Sequence, residues 1–263
     1  MESIKYNEHQ SPPLEPVPPM REAGGHAMIL AAGLGTRLKP WTDAHPKALA
    51  VINGKSLLQR NIEYLQQAGI TEVIVNVHHF ADQIIDAVET NNGWGSNITI
   101  SDETDAVLET GGGLKKAQWY FKGCEDFILL NVDVLTNLPL QQMVAAHKQN
   151  QPLATLAVTN RKTSRYFLFD EEDTLCGWRN VKTGEEKIAR GSANLTEKAF
   201  SGIHVISHTL FGLVQHQGKF SMVDVYLSLA KQHTIKAFDH SNTKFIDVGK
   251  PESIAEAESM FGD

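Results

Sequence analysis

The sequence predicts an α/β fold: a largely parallel sheet with helices on both faces and a small antiparallel β excursion. Three observations carry this expectation. From residue 26 onward, short apolar runs alternate with segments of helical spacing. The first run ends directly at glycine, as a strand does when it feeds a ligand-binding loop. Between residues 160 and 207 the texture changes to short β-like pieces separated by polar turns, which reads as an antiparallel excursion forming one wall of a cleft.

Taken in order, residues 1–25 stand apart. Pro12, Pro13, Pro16, Pro18 and Pro19 are five of the ten prolines, and Gly24-Gly25 closes the stretch. That composition favours an extended, solvated tail, leaving 26–263 as one domain. AMILAA (27–32) is the first strand, and Leu57, Leu58, Ile62 and Leu65 give 55–68 a helical stripe. TEVIVNV (71–77), a helix near 80–90, NITIS (97–101) and a helix over about 111–120 follow. DFILLNVD (126–133), a helix near 138–149 and LATLAVT (153–159) complete the alternating part. YFLF, TLCGW and KAFSGIHVI are the pieces of the excursion, and a helix-strand-helix passage closes the chain. β-α-β alternation of this kind places ligands at the carboxyl ends of the strands, so the residues after 32, 77 and 131 are the first candidates.

Composition narrows the function. Hydrophobic residues at 41% and charged residues at 21% suit a water-soluble domain with a substantial core. A formal charge of -7 argues against broad binding of nucleic acid or of anionic membrane, both of which need a basic face. Small anionic ligands remain open, because a pocket can be locally cationic or recruit a metal. Cys124 and Cys176 form neither a disulfide framework nor a metal-ligand spacing, so a reducing, cytoplasmic setting is expected. No apolar run approaches the ~18 residues of a membrane span. The sequence carries no signal for an oligomeric state.

The strongest signal is LAAGLGTRLKPWTDAHPKAL (30–49). Gly33 and Gly35 follow strand one directly, where a turn needs positive φ and close backbone approach. Successive amides in such a turn form an anion-binding concavity. Arg37 adds a rigid fork for phosphate oxygens, and Lys47 a mobile point charge. The spelling excludes two rivals. A P-loop needs GKS or GKT after its second glycine, and here Thr36-Arg37-Leu38 follows Gly35. A dinucleotide fingerprint needs a third glycine where Leu38 stands, which also disfavours a dehydrogenase.

Two acidic residues end β-like runs: Asp133 after DFILLNV and Asp247 after TKFI. They are either paired ligands for Mg²⁺, which favours carboxylate and phosphate oxygens, or ordinary turn and capping aspartates. Glu109-Thr110-Gly111-Gly112-Gly113 opens a helix. Its glycines either let a flat base lie against the backbone or form a flexible cap. Glu186-Lys187 lies in a charged turn. The adjacent His78 and His79, and His204 with His208, make no convincing zinc site.

From Leu30 to Leu49 the chain resembles sugar-1-phosphate nucleotidyltransferases, whose first motif reads roughly L-A-A/G-G-x-G-T-R-L-x-P-x-T and continues to P-K-x-L. The similarity extends from about residue 26 to 258. It implies a Rossmann-like fold that transfers a nucleotidyl group to a sugar 1-phosphate from a nucleoside triphosphate, with Mg²⁺. It assigns Arg37 and Lys47 to catalysis. It assigns Ala32, Gly33, Gly35, Thr36, Glu109, Gly112 and Asn131 to the nucleotide. Asp133 and Asp247 match the family's strand-end GD and late DVG metal motifs, although Val132 stands where glycine is usual. Glu186-Lys187 is similar to an E-K-P segment that meets the sugar phosphate, with Ile188 in place of proline. Phe200-Ser201-Gly202 resembles the stretch flanking the sugar, where Gly202 would allow close approach.

ETGGG together with LAAG most resembles uridylyltransferases acting on N-acetylmuramate 1-phosphate, which implies UTP. Mannose- or heptose-1-phosphate guanylyltransferases, and a catalytically silent sugar-nucleotide-binding domain, are the alternatives. No hexapeptide repeat follows the last helix, so an added acetyltransferase domain is not expected.

Overall fold

The computed structural model describes residues 25–262. The proline-rich tail expected at 1–25 therefore lies outside the described residues, except for Gly25. The strands are β1 (His26–Leu30), β2 (Val51–Ile52), β3 (Lys55–Ser56), β4 (Glu72–Val77), β5 (Asn97–Asp102), β6 (Asp126–Asn131) and β7 (Val134–Thr136). They continue as β8 (Ala154–Thr159), β9 (Arg165–Phe169), β10 (Leu175–Asn180), β11 (Glu185–Ile188), β12 (Thr196–Ser207), β13 (Ile235–Asp239) and β14 (Phe245–Asp247). The helices are α1 (Leu57–Gln67), α2 (Ala81–Thr90), α3 (Glu109–Lys116), α4 (Leu140–Asn150), α5 (Leu210–Leu213), α6 (Met222–Leu229) and α7 (Glu252–Met260).

The main sheet runs β5-β4-β1-β6-β12-β8-β13. The β5-β4, β4-β1, β1-β6 and β8-β13 pairs are parallel, and β12 enters antiparallel between β6 and β8. The opening residues of β12 also pair with β9, from which β10 and β11 continue as an antiparallel extension. Alternation along β1 explains the layering. Ala27 and Ile29 face a core closed by Leu57, Leu58, Ile62 and Leu65 of α1 and by Ile84 of α2. Met28 and Leu30 face the opposite core, closed by Leu114 of α3 and by Val225 and Tyr226 of α6. Helices thus cover both faces, as the alternation predicts. Ser56 caps α1, its hydroxyl accepting from the Gln59 amide at 3.1 Å.

Three details differ from the expectation. The strand at 126–133 stops at Asn131, where its partner β1 also ends. Val132 then donates its amide to Leu30 at 3.1 Å, its carbonyl accepts from Asn61 Nδ2 at 2.9 Å, and its side chain is buried in the core beside α1, which gives valine a place where the motif has glycine. Residues 185–188 form β11 rather than a turn; all four are exposed, so no apolar alternation announces the strand. The third helix begins at Glu109 and gives way to a 3₁₀ turn over Gln118–Phe121. Among the described residues no helix is long and apolar enough to cross a membrane.

Candidate active site at the ends of β1 and β6

From β1 the chain goes on to β4 on one side, while β6 pairs on the other, so the strand order reverses between β1 and β6. Loops leaving two such strands diverge and open a crevice. A cavity of about 420 Å³ lies there. Ala32, Gly33, Gly35, Thr36, Arg37, Lys47, Glu109, Asn131 and Asp133 all line it.

The glycine loop is built around Gly35, whose φ of 61° is left-handed. A Cβ there would also come within 2.9 Å of Thr42 Cγ2 and 3.1 Å of Lys47 Cβ, so glycine is needed on both counts. The Gly35 carbonyl accepts from the Leu38 amide at 2.9 Å and from Thr42 Oγ1 at 3.0 Å. This tight turn sets Lys47 beside the loop, with its ammonium paired to Asp133 Oδ2. Arg37 Nη2 lies 4.0 Å from Asp247 Oδ1. A Cβ on Gly249 would stand 2.6 Å from that same oxygen and 2.8 Å from Arg37 Nη2, so the missing side chain lets the pair meet.

Asp133 and Asp247 are brought together by backbone. β7 begins one residue after Asp133, β14 ends at Asp247, and the two strands pair antiparallel. The Val248 amide then donates to the Asp133 carbonyl at 2.8 Å. Partial burial, followed by repulsion from Asp133, raises the Asp247 carboxyl above its ordinary range, and Lys47, Arg37 and Arg161 offset part of that rise. Among the described residues no three His, Cys, Asp or Glu side chains gather as a cation cage. Two neighbouring carboxylates do fit Mg²⁺, which takes one or two carboxylates and completes its shell with phosphate oxygens and water.

The far wall differs from the reading of ETGGG as a base platform. Gly111 and Gly112 donate their amides to the Phe220 carbonyl, at 2.9 and 3.2 Å. A Cβ on Gly112 would lie 2.4 Å from the Gly218 carbonyl oxygen, and one on Gly113 would lie 2.8 Å from Glu103 Oε1. Gly111 and Gly112 allow α3 to pack against the chain before α6, Gly113 makes room for Asn76 and Glu103, and Gly112 does not line the cavity. Leu108, Glu109 and Thr110 do, with Glu109 3.5 Å from Lys219.

Sequence reasoning missed Asn76 and Glu103, both buried and both lining the cavity. Asn76 Oδ1 accepts from the Ala31 and Ala32 amides at 2.7 and 3.3 Å, and its Nδ2 donates to Glu103 Oε1 at 2.8 Å. The available signal was an asparagine interrupting the apolar run of β4 near its carboxyl end.

The residues expected at the sugar lie elsewhere. Glu186 pairs with Arg179 on β10, while exposed Lys187 sits 3.5 Å from Glu185 and 3.9 Å from Asp224. Neither lines the cavity, and nor does any residue of β9–β11. Gly202, at a φ of 75°, marks an irregularity in β12; a Cβ there would meet Asn131 Nδ2 at 2.7 Å. The close approach that it permits is that of Asn131.

Comparison with known proteins identifies the family. The profile of the nucleotidyl transferase family matches residues 26–262. A mannose-1-phosphate guanyltransferase of Yarrowia lipolytica is 27% identical over 242 residues, which is 89% of this chain and 63% of that protein. An N-acetylmuramate alpha-1-phosphate uridylyltransferase of Neisseria meningitidis serogroup B is 42% identical over 112 residues, 43% of this chain and 48% of that protein. The chain thus spans less than two thirds of the length of these relatives. The crystal structure of HddC from Yersinia pseudotuberculosis, complexed with GMP-PN, superposes with a TM-score of 0.71 at 27% identity, covering 90% of this chain and 99% of that one. With its glycine loop, paired aspartates and strand order on one match that runs nearly end to end, the chain belongs to the nucleotidyl transferase family.

Proposed function

We propose that the protein transfers a nucleoside monophosphate from a nucleoside triphosphate, with UTP as donor, to a sugar 1-phosphate. The observation that carries this is the meeting of Arg37, Lys47, Asp133 and Asp247 at the ends of β1 and β6. A sugar-phosphate oxygen, already ionised at neutral pH, attacks the α-phosphorus in line. The new P–O bond forms as the α–β bridge breaks, and pyrophosphate leaves with the bonding pair. No covalent enzyme intermediate is required. The glycine-loop amides and Arg37 hold the triphosphate, and Lys47 turns its charge toward the α-phosphate. Mg²⁺ held by Asp133 and Asp247 would supply further charge neutralisation on the phosphates. A two-cysteine composition favours a cytoplasmic setting for this chemistry.

The higher identity to a uridylyltransferase supports UTP, and an N-acetylated amino sugar as acceptor. The longer match to a guanyltransferase supports a second reading, guanylyl transfer to mannose 1-phosphate. A grid of four nucleoside triphosphates against several sugar 1-phosphates, with Mg²⁺, tests both by pyrophosphate release. Turnover peaking with UTP and N-acetylmuramate 1-phosphate is the expected result. A peak with GTP selects the second reading, and no pyrophosphate from any combination overturns both.

A further inference from the structure

Arg161 lies two residues beyond the carboxyl end of β8, in the polar turn that leads to β9. Its position is fixed from two sides. Nη2 donates to the Phe200 carbonyl of β12 at 2.6 Å, and the guanidinium carbon stands 4.9 Å from the centre of the Phe245 ring of β14. Yet its hydrogen bonding is incomplete: Nε is buried and has no partner. The carboxylate that it senses is Asp247, through charge and without a hydrogen bond. Thr159, the last residue of β8, likewise carries a buried hydroxyl oxygen without a partner. A half-buried guanidinium left this way is costly unless an anion completes it.

The sheet order says which anion. Arg37 follows β1, Asp133 follows β6, and Arg161 follows β8, with β12 between the last two. Neighbouring strands lie about 4.8 Å apart, so the two arginines emerge from strands roughly 14 Å apart, with the aspartate pair between them. Asp247 feels both charges. In-line displacement needs the leaving and attacking oxygens on opposite sides of the α-phosphorus. Arg37 belongs to the glycine loop, on the triphosphate side. We infer that Arg161 holds the phosphate of the attacking sugar 1-phosphate, on the opposite side of the cleft. This rests on the transfer reaction proposed above. It gives the acceptor a half-buried cation whose charge reaches Asp247, in place of exposed Lys187, whose neighbours are Glu185 and Asp224.

The experiment uses the full chain with the donor and acceptor that the substrate grid identifies. Arg161→Gln is expected to raise KM for the sugar 1-phosphate at least about tenfold, the lower end for losing a charge-assisted hydrogen bond. KM for the nucleoside triphosphate should stay within about twofold, and Arg161→Lys should recover part of the acceptor affinity. Calorimetric titration with the same sugar 1-phosphate, and with the unphosphorylated sugar, gives a readout independent of turnover. Binding of the phosphorylated form alone should weaken in Arg161→Gln. Unfolding midpoints of the variants report whether the fold is intact. An unchanged acceptor KM overturns the inference, as does an equal rise in both KM values or equal weakening toward both sugars. If wild-type protein releases no pyrophosphate with any acceptor, the reaction itself falls and the inference with it. Active wild-type enzyme with an indifferent Arg161→Gln removes the inference alone.

Discussion

Lys47 and Asp133 form an ion pair on the floor of the cleft, with only 11% and 19% of their side chains exposed. Each neutralises the other in a place where an isolated charge would be costly. The transfer proposed above would ask each for a different partner: the α-phosphate for Lys47, a divalent cation for Asp133. In that reaction the pair would hold both groups in position until the substrate complex separates them. Lys47→Ala and Asp133→Ala should each lower pyrophosphate release about 10²-fold or more, the scale seen when a charge-stabilising donor is removed. Near-normal turnover in either variant would refute the assigned role, and chelation of divalent cations should abolish turnover of the wild type.

Two glycines, Gly33 of the loop and Gly112 of α3, make opposite predictions about stability. An added Cβ on Gly33 meets nothing within 4 Å, whereas one on Gly112 would meet the Gly218 carbonyl oxygen at 2.4 Å. Gly33→Ala should therefore leave the unfolding midpoint unchanged while raising KM for the nucleoside triphosphate, because Gly33 lines the cavity. Gly112→Ala should destabilise the fold by about 1–3 kcal/mol through overpacking. Thermal unfolding alongside triphosphate kinetics separates them. A destabilised Gly33→Ala, or a Gly112→Ala of normal stability, contradicts the packing described.

These cases show where the sequence was legible. The loop from Leu30 to Leu49 could be read because its pattern is local: Gly33, Gly35, Arg37 and Lys47 fall within fifteen residues. Asp247-Val248-Gly249 was legible for the same reason, since Gly249 opens space for its own neighbour. Gly111 and Gly112 read as a ligand platform because their packing partners, Phe220 and Gly218, lie more than a hundred residues away. Glu185–Ile188 hid as a charged turn because an exposed strand shows no apolar alternation. Arg161 gave no local sign either, since its place comes from Phe200 and Phe245.

Asn76 was invisible for a related reason: its function comes from register. β4 sets Asn76 opposite Leu30, so its side chain meets the first amides of the glycine loop. It joins that loop to buried Glu103, whose carboxyl burial raises above its ordinary range. Asn76→Ala would strip the Ala31 amide and Glu103 Oε1 of their partner at once. About 1–3 kcal/mol of stability should be lost for the buried groups left unpaired. KM for the nucleoside triphosphate should rise as the loop loosens. Urea unfolding and kinetics together check this; loss of stability without a change in KM would deny Asn76 any part in holding the loop.

Two buried histidines predict how stability depends on pH. His204 contacts Tyr226 Oη at 2.6 Å, and burial holds its pKa down at about 3. Burial likewise lowers His240 to about 4, where it bridges Ser201 and Thr243. Both are neutral in the folded protein near neutrality, whereas the unfolded imidazoles take up protons below about 6.5. Between those limits the unfolded state binds more protons, so stability is complete above pH 6.5. It declines as pH falls toward 4 for His240 and toward 3 for His204. From pH 7 to pH 5 each imidazole should remove about 2 kcal/mol. His204→Phe leaves the Tyr226 hydroxyl unpaired and so lowers stability at both pH values. The informative quantity is therefore the drop between pH 7 and pH 5, which should shrink by about 2 kcal/mol in the variant. Urea denaturation at the two pH values measures it, and an identical drop in variant and wild type would mean that His204 is not held neutral by its burial.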